Sequence, residues 1–222
     1  MKTITASGNS VSNASVNERL AFLRKVYNLL MLSVLSGAAA CYMTVTSPGF
    51  LKTIANNMIL FIVFYIGSLF FVMFARKREN LALVALFTFT ILSGVMMSFP
   101  VIMYSEHVFN AAVLSLLVFV GLSFYAVTTK KDFSFLGGFL FVGLIVLFGG
   151  GLLNAFWLKS AGLEFFMNIG GILIFSGLIL YDTSRIMNQY SSNEYVMATL
   201  SLYLDLMNLF LYILRFLGGN KD

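Results

Sequence analysis

The sequence predicts an all-α integral membrane protein, a bundle of seven transmembrane helices. Three observations carry that expectation. Charged residues make up 10% of the 222 and hydrophobic ones 59%, whereas a soluble domain carries roughly 25% charge. The apolar residues gather into seven stretches, each about long enough to cross a ~30 Å hydrocarbon core at ~1.5 Å per helical residue. The segments between them hold turn formers and charge.

Residues 1–18 are polar and Ser/Asn-rich, and the charged group Glu18, Arg19, Arg24 and Lys25 follows. They contain no short apolar core ahead of a small-residue cleavage site, so they read as a flexible cytoplasmic tail rather than a cleavable signal. Residues 19–222 then form one seven-helix domain. The apolar stretches fall at 26–46, 58–75, 81–103, 108–128, 134–157, 165–186 and 195–217. They are separated by Ser47-Pro48-Gly49, Arg76 to Asn80, Ser105-Glu106-His107, Lys130-Lys131-Asp132, Lys159 to Gly162, and Tyr190 to Glu194. The third stretch starts almost at once after the second, which makes a tight hairpin.

Ten of the 14 basic residues, including Arg76, Lys77, Arg78, Lys130, Lys131 and Arg185, fall on the side of the N-terminus; Lys52, Lys159, Arg215 and Lys221 fall on the other. The positive-inside rule then sets the N-terminus in the cytoplasm and the C-terminus outside, with a re-entrant seventh stretch as the alternative. A net charge of +5 dispersed in such clusters fits lipid headgroups and argues against nucleic acid as a partner. Cys41 is the one cysteine, so no intramolecular disulfide forms and it reads as a small buried hydrophobe. The pairs Ser33/Gly37, Gly94/Ser98 and Ala111/Ser115 and the runs Gly137-Gly138, Gly149-Gly150-Gly151 and Gly170-Gly171 suit close helix approach, with local unwinding at Gly149 to Gly151 as the lesser reading.

Against this background two carboxylates stand out, Asp182 and Asp205, in the last two apolar stretches. A charge at the bilayer centre costs at least ~2.5 kcal/mol on insertion scales, so it is expected to face a cavity or a partner. Glu194, Ala198, Ser201, Asp205, Asn208, Tyr212 and Arg215 recur at helical spacing on one face of the seventh stretch. Asp205 lies ~16 Å along that axis from Glu194, near mid-membrane. Asp182 is one turn before Arg185, near the cytoplasmic end. Antiparallel helices joined by a short loop allow the two acids to meet. Each also has a structural reading: Asp182 paired with Arg185, and Asp205 in a hydrogen-bond hub with Asn208 and Tyr203. Close carboxyls do not both ionise cheaply and titrate as one coupled pair. Arg76 is the basic candidate nearby, because Tyr65, Ser68, Val72 and Arg76 share a face; it also reads as a positive-inside anchor beside Lys77 and Arg78.

Three stretches resemble the Bax inhibitor-1-like family of seven-helix membrane proteins: residues 123–134 (SFYAVTTKKDFS), 181–186 (YDTSRI) and 202–211 (LYLDLMNLFL). The likeness extends from about residue 20 to the C-terminus. It implies a di-aspartyl pH sensor at Asp182 and Asp205, a latch arginine at Arg76, and a pH-sensitive cation leak, chiefly calcium, in the inner membrane of a bacterium. It also implies, for bacterial members, a link to a membrane-anchored ATP-dependent protease. Some relatives carry a Glu about three turns before the latch, where this chain has Tyr65.

The leading expectation is therefore a pH-gated calcium leak and not an enzyme. Asp182 and Asp205 are the sensor and a weak calcium site, Arg76 the latch, and Asn208, Ser201, Tyr203 and Arg185 supporting groups. No cofactor is expected, with calcium or protons as cargo and the bilayer as surroundings. Calcium prefers six or more oxygens, so transient passage suits the pair better than storage. A regulator that binds a membrane protease, using residues 1–18 as a handle, is the runner-up. An intramembrane aspartyl protease is disfavoured, since Asp205 lacks a preceding Gly-x-Gly and both prolines precede residue 101. A retinal protein is disfavoured because the seventh stretch has no lysine, and His107 reads as solvated.

Overall fold

A computed structural model describes residues 16–129, 131–191 and 193–219. Most of residues 1–18, and Lys130, Ser192 and 220–222, lie outside them. The described chain is helical throughout: α1 (Val16–Val45), α2 (Pro48–Asn56), α3 (Met58–Ala75), α4 (Glu79–Met103), α5 (Val108–Thr129), α6 (Gly137–Leu153), α7 (Ala161–Asn188) and α8 (Tyr195–Gly218). Seven of these helical segments are long and apolar enough to cross a membrane, in the seven places the hydropathy marks. At 24 residues, α8 is ~36 Å long, enough to cross rather than turn back.

Helices outrun the apolar stretches where nothing stops them. α1 begins ten residues before its apolar run, with Glu18 in the first turn, where an acid complements the positive helix end. The short α2 is not foreshadowed by the Ser-Pro-Gly break. Pro48 starts it, since a proline has no amide to lose in the first turn, and Ile54 anchors it as a fully buried side chain. Gly149 to Gly151 stay helical; α6 instead widens just beyond them, over Asn154–Leu158. Asn154 closes that end by accepting from Ser160 N at 2.9 Å and donating to Ser160 O at 3.2 Å, while Lys159 takes the left-handed conformation with φ 45°.

α8 is the central post. It packs on α7, α5, α1 and α4; α3 sits outside α4 and α6 outside α7. Tyr203, Leu202, Leu209 and Leu214 of α8 and Phe89 of α4 are fully buried. α1 and α4 cross at Gly37 and Gly94, where a Cβ on Gly94 would collide with the Gly37 backbone. In lipid such contact stabilises by dispersion, because leaving the bilayer gains no hydrophobic free energy. At the end carrying the basic clusters, Tyr195 donates to Glu79 at 2.7 Å, Lys25 pairs with Glu79 at 3.3 Å, and the same Lys25 ammonium lies 3.5 Å over the Tyr195 ring. These three residues join α1, α4 and α8.

Candidate functional site: a buried carboxyl pair

α7 presents Asp182 less than two turns before its end, and α8 presents Asp205 less than three turns after its start. The connection between them is a few residues long, so the two helices run antiparallel and the acids come level. Both are buried, Asp182 at 7% and Asp205 at 4% exposure. Their carboxyl groups are close enough to interact across the α7–α8 interface, and Asp205 Oδ2 has no hydrogen-bond partner. Two neighbouring carboxyls can hydrogen-bond to each other only if one holds a proton.

The second partner of Asp182 is Arg185, whose Nη1 donates to Asp182 Oδ1 at 3.4 Å. That guanidinium is itself held in place. Its Nε donates to Gln189 Oε1 at 3.2 Å, and it stands 5.3 Å from the Tyr181 ring and 5.4 Å from the Tyr190 ring. Aromatic faces favour a cation at that range. Exposure rises along the line, from Asp205 through Asp182 to the Arg185 side chain at 34%. With one shared proton the three groups are neutral together. Losing it leaves a net negative charge largely out of water, which is costly unless something else moves in.

The other expected members are dispersed. Arg76 caps α3, is exposed, and takes no part in the ion pairs among the described residues. The reason is architectural: α3 packs on α4, away from α7. The face Tyr65, Ser68, Val72 does point inward, but its last member emerges at the surface. The Tyr203 hydroxyl donates to Thr90 O at 3.4 Å, and Asn208 Nδ2 to Leu204 O at 2.8 Å, so the hub around Asp205 does not form. Ser201 touches the edge of the site through the Tyr190 hydroxyl at 3.3 Å. Tyr203 and Asn208 instead line, with Tyr65 and Ser93, a cavity of about 160 Å³ that Asp205 does not line. The pair meets no third carboxylate, thiolate or imidazole with which to hold a metal among the described residues.

Two features escaped the sequence reading. Buried hydroxyls of Tyr27 (α1), Ser123 (α5) and Thr183 (α7) face one another beside Asp182 without a well-aligned hydrogen bond among them. Helical hydroxyls usually turn back to their own carbonyls, so nothing local marks these as different. The Ser184 hydroxyl accepts from Phe133 N at 3.1 Å and donates to Lys131 O at 3.4 Å. It thereby ties the α5–α6 connection to α7 beside the acids. Both features draw on residues 123–134 and 181–186, and their concentration there was the available signal.

A family model described as inhibitor of apoptosis-promoting Bax1 matches residues 19–222. Protein lifeguard 4 of Mus musculus is 39% identical over 220 residues, covering 95% of this chain and 90% of that protein. The Golgi anti-apoptotic protein of Vaccinia virus (strain Lister) is 35% identical over 95% of this chain and 90% of its own length. A membrane protein of Vibrio cholerae is 39% identical, covering 90% of this chain and 91% of that one. The chain belongs to the Bax inhibitor-1 family.

Proposed function

We propose that the protein is a pH-sensitive cation leak, with calcium as the principal cargo, in which the Asp182–Asp205 pair is the sensor. The observation that carries this reading is a pair of buried, neighbouring carboxyls inside a membrane bundle, connected through Arg185 to one end of it. In the protonated arrangement the pair and Arg185 are neutral and bind α7 to α8. Deprotonation leaves an unbalanced charge that draws in a cation or separates the helices, and either outcome shifts a closed–open equilibrium. The small cavity lined in part by Tyr65, Ser93, Tyr203 and Asn208 lies against the same helix as Asp205, and its oxygens are the next ligands for a cation. With the N-terminus cytoplasmic, as the basic clusters favour, protons reach the pair from the cytoplasm.

We assign the role of cationic partner to Arg185 rather than Arg76, on the 3.4 Å contact with Asp182. The same contact supports a sensor over a proteolytic dyad, because Asp182 is committed to a guanidinium instead of facing a substrate. The reading as a protease-binding regulator rested on residues 1–18, most of which lie outside the described residues.

The test is calcium flux into proteoliposomes stepped through pH. Wild-type flux is expected to vary with pH, and Asp182→Asn and Asp205→Asn to flatten that dependence. Arg185→Gln is expected to displace the pH response, with Arg76→Gln leaving it in place. Flux whose pH dependence survives both Asp substitutions would overturn the proposal.

A further inference from the structure

α1 and α5 meet where the Tyr27 and Phe119 rings lie 6.1 Å apart, and elsewhere they are not packed side by side. Toward the other end of the bundle they are held apart by a cavity of about 370 Å³. Cys41 and Tyr42 of α1 and Ala112 and Leu116 of α5 form its sides, with Met97 of α4 and Leu206 of α8 at the back. We propose that this cavity is a lateral binding site for one lipid acyl chain, which enters from the bilayer between α1 and α5 and lies against α8.

Four observations select that occupant. The mouth is continuous with the lipid-facing surface: Tyr42 is 70% and Leu116 50% exposed, and both line the cavity. The lining offers water almost nothing, since its buried Ser115 hydroxyl donates back to Ala111 O within α5; an ordered water needs two to four polar partners. The volume lies in the ~300–1,000 Å³ range of small-molecule pockets. At about 370 Å³ it is far too small for a helix several turns long with a diameter of ~10–12 Å. An unfilled slot would forfeit dispersion contacts on every wall, whereas a hydrocarbon tail supplies them and sheds no water on entry.

The chain's resting place has a distinctive address. α8 is the most buried of the seven spans, and Leu206, Met207 and Phe210 of it line this opening. The Tyr27–Phe119 contact closes the slot at the end nearer the acids, and Met97 and Met207 line both this cavity and the small polar one. Two methionine side chains thus stand between the acyl site and the smaller cavity beside Tyr203 and Asn208. Ligand binding here stands or falls independently of whether the protein conducts ions.

The experiment reconstitutes the full chain in vesicles of phosphatidylcholine that carries a diazirine on one acyl chain, and maps adducts by peptide mass spectrometry. Adducts are expected on the Leu206–Phe210 segment as well as on exposed Phe109 and Phe124. Ala112→Phe, or separately Ala38→Phe, fills the slot and is expected to abolish the α8 adducts while those on Phe109 and Phe124 persist, which also reports that the variant is folded. Three results would overturn the proposal: wild-type adducts confined to exposed positions, labelling of Leu206–Phe210 by a water-soluble diazirine instead, or protein–protein cross-links at the slot in place of lipid adducts.

Discussion

α6 and α8 are both long apolar helices, and the bundle treats them in opposite ways. The span containing α6 has a mean hydropathy of 2.3 and is 11% buried, while that of α8 has 1.6 and is 56% buried. The more hydrophobic helix is the more exposed. In water the order would be reversed, because burial would then remove apolar surface from solvent. Inside a bilayer lipid tails are as apolar as leucine, so burial is decided by packing and by polar groups that need partners. α8 carries Asp205, which lies buried beside Asp182, and Asn208, Thr199 and Tyr203, which find hydrogen-bond partners inside the bundle or on their own helix. α6 carries five exposed Phe and Val side chains from Phe139 to Phe148, and nothing on it requires company.

The difference is testable at matched positions. The largest effect is expected at glycines. Gly94→Leu drives a side chain into the Gly37 backbone and is expected to prevent folding, since overpacking of ~1–3 kcal/mol is exceeded when backbone cannot yield. Gly149→Leu on α6 meets open space and is expected to leave the midpoint of detergent denaturation unchanged or slightly raised, glycine costing a helix ~1 kcal/mol. Equal effects at the two sites would end the distinction. Next come truncations. Leu209→Ala in α8 is expected to destabilise by ~2–5 kcal/mol as a cavity opens, against no measurable change for Phe141→Ala, which is 64% exposed. Lipid fills the space left by Phe141, whereas nothing fills the space left by Leu209.

A smaller effect is expected at the Lys25–Glu79–Tyr195 junction. Its pair is half exposed or more on each side, so Glu79→Gln is expected to lower stability only slightly, and by less as salt is added. A larger, salt-independent loss would show that this junction belongs with the interior of α8 rather than with its rim.

Much of the fold could be read in advance. The seven spans came from hydropathy, close helix approach at Ser33/Gly37 and Gly94/Ser98 from their small residues, and the meeting of Asp182 and Asp205 from two antiparallel helices with a short link. Arg185 as the partner of Asp182 was also visible, as one-turn spacing on a single helix. What misled was spacing taken without neighbours. Arg76 shares a face with Tyr65, Ser68 and Val72, yet α3 lies against α4, so that face ends at the surface before it reaches the acids. Asn208 and Tyr203 lie within a turn of Asp205, but one returns to its own helix and the other crosses to α4. The short α2 was hidden because a proline and a glycine read as a break when they also serve as a helix start.

The sequence by itself determined that the chain spans a membrane seven times, and which two carboxyls are forced to seek partners there. Those properties are local: transfer of each residue into hydrocarbon is nearly independent of its distant neighbours. Only the tertiary structure decided that α8 is the centre, that Arg76 lies away from the acids, and that α1 and α5 stand apart around an apolar slot. Such outcomes depend on how side chains from different helices fill one another's gaps, and a bilayer leaves that choice to close packing instead of to hydrophobicity.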